Sequence, residues 1–539
     1  MKTLSLLVVL SLSLLFSPLA FAFADEHHGM DAPEKLGTVS FPTSCAAGVQ
    51  KAFERGIALM HSFVYEDAGS QFRQIEQQDA GCAMAYWGEA LSLWHQLWSR
   101  PTKADLAQGW ELIQKAQNSN ARTQRERDYI HALAAFYRDS DKQDHEQRAE
   151  AYSEQMKKVY QSYPSDSEAA IFYALSLMAS AKDENQIAHD REAIAILSRL
   201  FEQQPDHPGV AHYLIHAADN PQLAQEGLAA ARSYAGIASS SPHALHMPSH
   251  IFARLGLWQD DIRSNLAAIG AARKMSPNFA HMEHHRIHSM DFLEYAYLQI
   301  GDDAGAKATV EELEAINKAD VEAEFQSYFD SMRTGFPARY ALETRNWKDA
   351  LALQAPAEIE PYDAGNTYWA HAVAAGHLRD SAAAHKAVAK YDELVAATKK
   401  SDKPYMGSAL KSNGDEAHAW MDFADGKNEE ALALLRGVAQ KQDSIGKGEV
   451  EIPAREMLAD MLMEMARPQE ALLEYEKSLH TDPNRFNGLY GAARAAELTK
   501  QPQKAAAYYS QLLKNCGNGA HSDRPELTRA RTQVASAGD

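Results

Sequence analysis

Histidine spacing is the feature of this sequence that points most directly to chemistry. Ten of the 23 histidines fall between positions 207 and 288. The stretches HYLIH, HMPSH and HMEHH each carry two histidines four residues apart, and they recur at intervals of 34 and 35 residues. Because side chains four residues apart share one face of an α-helix, each pair presents two imidazoles together. The candidate ligands are His212, His216, His246, His250, His281, His284, His285 and His288.

Two imidazoles on one helical face form a preorganised bidentate grip on a borderline metal such as zinc or copper. Three such pairs supply up to six nitrogens, enough for one crowded site or for two adjacent ones. Packed imidazoles also resist protonation, which favours the neutral, ligating form. An aspartate ends the histidine stripe of the first and third helices. The further candidates, as ligands or as residues that orient a ligand ring, are Asp219, His243 and Asp291.

The elements that must position these histidines repeat along the chain. Ala471 and Tyr475, in ARPQEALLEYEKSLHTDP, are followed 34 residues later by Ala505 and Tyr509, in QPQKAAAYYSQLL. This is the tetratricopeptide period, with a small residue where two helices cross and an aromatic residue one turn later. The composition is rich in alanine, leucine, glutamate, glutamine and lysine and shows no period-two alternation, which predicts an all-α protein.

Over most of the chain the sequence resembles the tetratricopeptide repeat (TPR) family. The stretch HALHMPSHIFARLGLW, with PDHPGVAHYLIHAADNP before it and HSMDFLEYAYLQ after it, is similar to an exported bacterial subgroup of that family. The resemblance implies a right-handed superhelix of helix pairs, an α-solenoid with a concave groove. It also implies that His246 and His250 line this groove, but it brings no activity with it.

Composition shifts divide the chain into four segments. Residues 1–24 read as a signal peptide cleaved after Ala24, and residues 25–40 are expected to be disordered. Residues 41–355 form an N-terminal TPR array with the histidine-lined groove, and residues 366–539 form a C-terminal TPR array. No later segment is long and apolar enough to span a membrane, so we expect a periplasmic or secreted protein.

Charge and cysteine content exclude some partners and chemistries. The formal net charge of −20 would repel DNA or RNA, so no nucleic-acid partner is expected. Cys45 and Cys82 lie at the starts of similar helices, so either a disulfide or two buried thiols fits them, and Cys516 is left over. No C-x-x-C spacing supports thioredoxin-like redox chemistry.

A second candidate metal site lies at the predicted mature N-terminus. Cleavage after Ala24 would leave Asp25, Glu26 and His27 as the first residues. A free amine with a histidine in third position can surround Cu(II) or Ni(II) with a square-planar set of nitrogens. Any chain with such a histidine has this capacity.

The sequence therefore predicts an exported TPR scaffold that binds zinc or copper in a histidine-lined groove, in metal handling or partner binding. One alternative is a TPR module that binds a protein or peptide partner without a metal. A second is a metal-dependent hydrolase or oxidase built in the groove. GxSxG, P-loop, dinucleotide-binding and HExxH signatures are not found in the sequence, so whether the protein is an enzyme stays open.

Overall fold

The computed structural model describes residues 34–97, 99–119, 121–275, 283–401, 406–445, 447–448, 450–517 and 522–537. Within these ranges the regular structure is helical and no strand occurs, which confirms the predicted all-α class. Residues from Lys35 onwards belong to one compact unit. None of the described helices combines the length and apolar character that a membrane crossing requires.

Twenty-six α-helices follow one another along the described residues. The first thirteen are α1 (Gln50–His61), α2 (Tyr65–Gln78), α3 (Ala83–Ser92), α4 (Lys103–Asn118), α5 (Gln124–Tyr137), α6 (His145–Ser162), α7 (Ser167–Ala179), α8 (Gln186–Gln203), α9 (Pro208–Ala217), α10 (Ala224–Ile237), α11 (Pro242–His246), α12 (Pro248–Arg254) and α13 (Trp258–Met275). The remainder are α14 (Glu283–Gln299), α15 (Asp303–Glu314), α16 (Gln326–Glu343), α17 (Trp347–Ala352), α18 (Gly365–Leu378), α19 (Ser381–Thr398), α20 (Met406–Ala424), α21 (Asn428–Ile445), α22 (Ala454–Glu464), α23 (Pro468–Thr481), α24 (Phe486–Leu498), α25 (Pro502–Asn515) and α26 (Pro525–Ala537). Short 3₁₀ turns lie at Ala47–Val49, Lys318–Asp320, Ala323–Phe325 and Tyr362–Ala364.

Each helix packs chiefly on its neighbours in sequence, as a helical repeat requires. The turns between paired helices place one residue in the left-handed region, five residues before the alanine at the helix crossing. Glycine takes this position at Gly301 and Gly426, with φ of 72° and 79°. Ala466 and Lys500 adopt the same conformation at φ of 55° and 58° without being glycine. The repeat therefore fixes the turn geometry, and glycine is its low-cost solution.

The crossing residues predicted from the 34-residue period lie in the core. Ala471, Tyr475, Ala505 and Tyr509 are all buried. Where α23 and α24 cross, Tyr475 fills the space beside Gly491, and a Cβ on that glycine would stand only 2.2 Å from the tyrosine ring. Aromatic rings on one helix are thus accommodated by small residues on the next.

The hydrophobic core forms three successive large clusters: residues 36–252, residues 253–336 and residues 338–530. The third cluster includes residues on both sides of 355–366, and α17 packs on α18 across that break. The division into two arrays at this point stays a prediction.

Residues 35–40 were expected to be disordered, but they are held against the array. The Thr38 N–H donates to the Asp206 carbonyl oxygen at 3.0 Å, and the Lys35 N–H donates to Ser240 Oγ at 2.8 Å. Gly37, at φ 84°, makes the close approach because a Cβ there would stand 2.7 Å from the Asp206 oxygen. These backbone hydrogen bonds correct the expectation for this stretch. The predicted signal peptide and residues 25–33 lie outside the described residues.

Cys45 and Cys82 form a disulfide, with their Cα atoms 4.8 Å apart. Cys45 precedes α1 and Cys82 is the N-cap of α3, so the bond closes a loop that contains α1 and α2. Cys516 is a buried free thiol, and burial raises its pKa to about 12. The bond ties the first helix pair to the next one.

A glycine pair tests the crossing geometry. We expect Gly491→Ala to lower the free energy of unfolding by about 1–3 kcal/mol, because the new methyl overlaps Tyr475. Gly437→Ala, in an exposed part of α21 with open space around it, should instead raise stability by about 0.5–1 kcal/mol. Urea unfolding followed by circular dichroism measures both. Equal effects of the two substitutions would contradict the packing described here.

Removal of the disulfide tests how far it stabilises the N-terminal repeats. Because it closes a loop of 37 residues, the Cys45→Ser/Cys82→Ser variant should lose about 2–4 kcal/mol of stability. The wild-type melting temperature should fall on adding dithiothreitol, whereas that of the variant should not respond. A reductant effect that persists in the variant would mean that the bond is not its cause.

Candidate metal centre

The candidate histidines lie on four helices that are neighbours in space. Helix α9 contacts α12, and both α11 and α12 contact α14. Successive repeats therefore bring together residues that are far apart in sequence. The histidines that converge are His212 and His216 on α9, His243 and His246 on α11, His250 on α12, and His285 and His288 on α14.

The HMPSH stretch is not one continuous helix. Helix α11 ends at His246, and α12 begins at Pro248, which occupies the first turn as predicted. Met247 between them keeps helical torsions, with φ −49° and ψ −35°. Because proline has no N–H to donate, the helix is interrupted here, but its path continues. His246 and His250 therefore still face the same side.

The first cluster joins His212, His216 and His243. His212 Nε2 is 3.0 Å from His243 Nε2 and 3.1 Å from His216 Nε2. One ligand atom from each residue lies within 4.8 Å of the other two. The ring of Phe63 closes one side, with its centroid 4.4 Å from that of His212. Three ring nitrogens thus converge beside an apolar wall.

The second cluster joins His246, His250 and His288 in a similar way. His246 Nε2 is 3.0 Å from His250 Nε2. The His288 ring centroid is 4.4 Å from that of His246 and 5.6 Å from that of His250. Phe292 forms the wall, with its centroid 4.6 Å from that of His250. Each cluster therefore combines an i, i+4 pair, a third histidine and a phenylalanine.

The two clusters adjoin each other. Ring centroids of His243 and His246 are 6.2 Å apart, and those of His216 and His250 are 6.1 Å apart. Within the first cluster the rings of His216 and His243 are 6.4 Å apart, so the clusters approach each other about as closely as the most widely separated rings inside one of them. His285 borders the pair, 5.4 Å from His243. We call the two clusters together the paired centre.

Hydrogen bonds on the far side of each ring assign the protons of the second cluster. His250 Nδ1–H donates to Asp219 Oδ2 at 2.8 Å, and Arg254 Nε donates to Asp219 Oδ1 at 2.8 Å. His246 Nδ1–H donates to Asn265 Oδ1 at 2.7 Å. A neutral imidazole carries only one proton, so both Nε2 atoms present lone pairs. These lone pairs face each other across 3.0 Å.

Asp261 fixes the orientation of Asn265. The Asn265 amide NH₂ donates to the Asp261 backbone oxygen at 3.1 Å and to its Oδ1 at 2.7 Å. Because a carbonyl oxygen only accepts, the amide oxygen must point to His246. The sequence prediction included neither residue. The sequence did contain an indication that Asp261 is unusual. It lies five residues after Gly256, at the position where other repeats have the alanine of the helix crossing.

Residues at the end of α1 orient a ring of the first cluster. His212 Nδ1–H donates to the backbone oxygen of His61 at 2.6 Å, which leaves the His212 Nε2 lone pair pointing into the cluster. His61 is the last residue of α1, and Phe63 follows at φ 55°. The same turn thus supplies both the acceptor for His212 and the apolar wall.

The His61 ring belongs to a separate buried group with metal-ligand spacing, together with Glu168 and His207. The Nε2–H groups of His61 and His207 each donate to Glu168 at 2.9 Å. Nδ1 of His61 accepts from the Tyr213 hydroxyl, and Nδ1 of His207 accepts from the Val210 N–H. Burial alone would raise the pKa of Glu168, but the two histidines outweigh it and lower the pKa to about 2. The group is internally satisfied and joins α1, α7 and α9. The sequence prediction missed it because Glu168 is 107 residues from His61 and 39 residues from His207.

Burial keeps three of the clustered imidazoles, those of His212, His243 and His246, neutral. It lowers the pKa of His212 to about 3. Burial and then neighbouring imidazoles hold the pKa values of His243 and His246 well below the usual range. These three side chains are 0 to 1 % exposed. Neutral rings are the form that binds metal ions.

Two predicted ligands lie apart from the clusters. The His284 ring stacks on Phe325 at a centroid distance of 3.9 Å, and its Nδ1 is 3.4 Å from a Glu322 carboxylate oxygen. Asp291 accepts from Arg339 at 2.6 Å, so its carboxylate is held by that guanidinium. Asp219, by contrast, orients His250 of the following repeat. The predicted ligand His281 and the predicted copper site Asp25, Glu26 and His27 lie outside the described residues.

Comparison with known proteins does not assign this chain to a family. The chain matches no family model and no curated relative. Among solved structures, it is similar to a human IFIT1 dimer with m7Gppp-AAAA, with 11% identity, a TM-score of 0.36 and coverage of 80% of this chain and 90% of that chain. It is also similar to the P58(IPK) TPR domain, with 15% identity, a TM-score of 0.20 and coverage of 91% and 99%. Nothing about the histidine clusters follows from either likeness.

Asp219→Asn tests whether His250 is oriented for metal binding. In the variant, Arg254 would still donate to the one remaining side-chain oxygen, so the amide NH₂ would face His250 Nδ1. Because the NH₂ group donates and does not accept, Nδ1 would have to accept, and the ring proton would move to Nε2. We expect metal affinity of the second cluster to fall by about 10–100-fold. Competitive titration against a chromophoric chelator measures this.

Asp291→Asn is the matched control, since it removes an equally buried carboxylate that bonds Arg339 instead of a clustered imidazole. Its metal affinity should stay within about threefold of wild type, because Arg339 still binds Glu294 and so still holds α14 in place. The melting temperature should fall because Arg339 loses one of its two carboxylate partners. An equal loss of affinity in both variants would show that Asp219 acts only through its charge.

Proposed function

We propose that this protein is an exported helical-repeat scaffold that binds transition-metal ions, zinc or copper, at the paired centre. The observation that carries the proposal is the second cluster, where two imidazole lone pairs face each other across 3.0 Å. Two lone pairs at this distance repel unless a proton or a cation lies between them. Since Asp219 and Asn265 already hold the ring protons on the far side, a metal ion is the partner that suits both rings.

Nitrogen separations support the same conclusion. Nitrogens bound to one ion at about 2.0–2.1 Å stand about 2.8–3.4 Å apart for angles between square and tetrahedral. The separations of 3.0 to 3.1 Å among clustered Nε2 atoms fall in this range. Each cluster supplies three imidazoles from the described residues, the number that catalytic zinc sites commonly use. We assign His212, His216 and His243 to one ion and His246, His250 and His288 to the other.

Burial favours metal binding over the alternative of a histidine-lined peptide groove. His212, His243, His246 and His250 are 0 to 7 % exposed, so they offer a peptide little surface to contact. A protein partner that receives or delivers metal remains part of the proposal, with its binding surface elsewhere on the array. Export rests on the signal-like N-terminus and is supported by the Cys45–Cys82 disulfide, a bond typical of oxidising compartments.

Metal analysis of untagged protein from its native compartment tests the proposal. We expect about two ions per chain, from one ion for each tri-imidazole set. The His246→Ala/His250→Ala and His212→Ala/His216→Ala variants should each lose one ion. Chelation should lower the wild-type melting temperature, because bound metal adds about 2.7 kcal/mol per site at a hundredfold excess over Kd.

The control variant His385→Ala/His418→Ala removes two histidines that are outside both clusters and more than a third exposed. It should keep both ions and full chelator sensitivity. All variants carry His27→Ala, so that the predicted N-terminal copper site does not add to the count. Substoichiometric metal in the parent protein, or equal metal in parent and cluster variants, would reject metal binding and leave the peptide-binding alternative.

A further inference from the structure

Among the described residues, both clusters of the paired centre consist of histidines alone. Six imidazoles carry no charge in the ligating form, and the two nearest predicted carboxylates are already paired, Asp219 with Arg254 and Asp291 with Arg339. Two ions of charge +2 would therefore concentrate positive charge in a buried pocket, which is costly. The pocket stabilises either two ions of charge +1 or two dications bridged by an anion.

Among the metals that imidazole binds well, copper can satisfy either condition. It exists as Cu(I), with charge +1, and as Cu(II), which an anion can bridge. When two Cu(I) ions bind dioxygen, each gives one electron, and the oxygen–oxygen double bond becomes the single bond of peroxide. Two Cu(II) ions with a peroxide dianion between them then carry the same net charge as the reactants. The buried centre would thus exchange no charge with solvent during this step.

The geometry suits a shared small ligand. Rings of opposite clusters approach to 6.1 and 6.2 Å, whereas rings inside the clusters are 4.4 to 6.4 Å apart. Two-metal centres whose ions lie about 3.5–4 Å apart clamp one substrate between them. Phe63 and Phe292 flank the two clusters, so each cluster has an apolar wall on one side.

We infer that the paired centre, loaded with Cu(I), binds dioxygen between its two ions and reduces it to peroxide. This inference rests on the proposed metal-binding function. Release of hydrogen peroxide takes up two protons from solvent. Return to two Cu(I) ions requires two electrons from a reductant, for which ascorbate or an electron-rich phenol serves in the assay.

The test uses full-length exported protein loaded anaerobically with two equivalents of Cu(I), in the His27→Ala background. On addition of dioxygen we expect uptake of one molecule for every two copper ions, a new near-ultraviolet absorption band, and no electron paramagnetic resonance signal because the Cu(II) ions are coupled. Zinc-loaded protein should show none of these changes. The His385→Ala/His418→Ala control should behave as wild type.

His288→Gln is the main variant, because His288 is only half-buried and its loss is the least disruptive to folding. It should slow dioxygen uptake by ~10-fold or more and give a signal of isolated Cu(II). His216→Gln, half-buried in the other cluster, should do the same, and circular dichroism checks that both variants fold.

Two outcomes separate this inference from the function on which it rests. Two bound copper ions without dioxygen uptake, or with signals of two isolated Cu(II) ions, would overturn dioxygen binding and leave metal binding intact. Failure to bind two ions in the clusters would overturn both. Unchanged uptake in His288→Gln and His216→Gln would place the reaction elsewhere and overturn the inference.

Discussion

The separation of 3.0 Å between Nε2 of His246 and Nε2 of His250 is the constraint on which the site depends. It follows from three independent restraints: helical continuity through Met247, the Asp219 carboxylate behind one ring and the Asn265 amide behind the other. Removing any one would let the rings turn apart and relieve the repulsion between their lone pairs. A protein that holds this arrangement in its interior spends folding free energy on it, and a bound cation would return that free energy.

Much of the scaffold and part of the site follow from sequence because they are local. The 34-residue period places the crossing alanines, and the i, i+4 spacing correctly puts His212 beside His216 and His246 beside His250. Local periodicity also shows that Asp219 lies on the histidine stripe of α9. It cannot show that Asp219 would serve His250 in the next repeat, because that depends on how the two helices stack.

The remainder of the site depends on contacts between distant residues. His243 has no histidine four residues away, and it enters the first cluster because the short helix α11 brings its ring nitrogen to 3.0 Å from that of His212 on α9. On α14, the stripe of histidines is visible in the sequence, but the helix rotation that selects His288 and turns His284 towards Phe325 is not. The His61 carbonyl reaches His212 from 151 residues away, through the packing of α1 on α9.

The rotation of α14 is set from the C-terminal repeats, so these repeats contribute to the centre without contacting it. Arg339 on α16 donates to Asp291 and Glu294, about one and two turns after His288. Further along α14, Gln299 accepts from the Phe486 N–H at 3.0 Å, and the fully buried Arg485 joins Tyr295 to Glu343 and Glu456. Buried ion pairs of this kind add little net stability over apolar packing, but they tolerate few geometries. The repeats after the histidines thus fix the orientation of one helix of the paired centre.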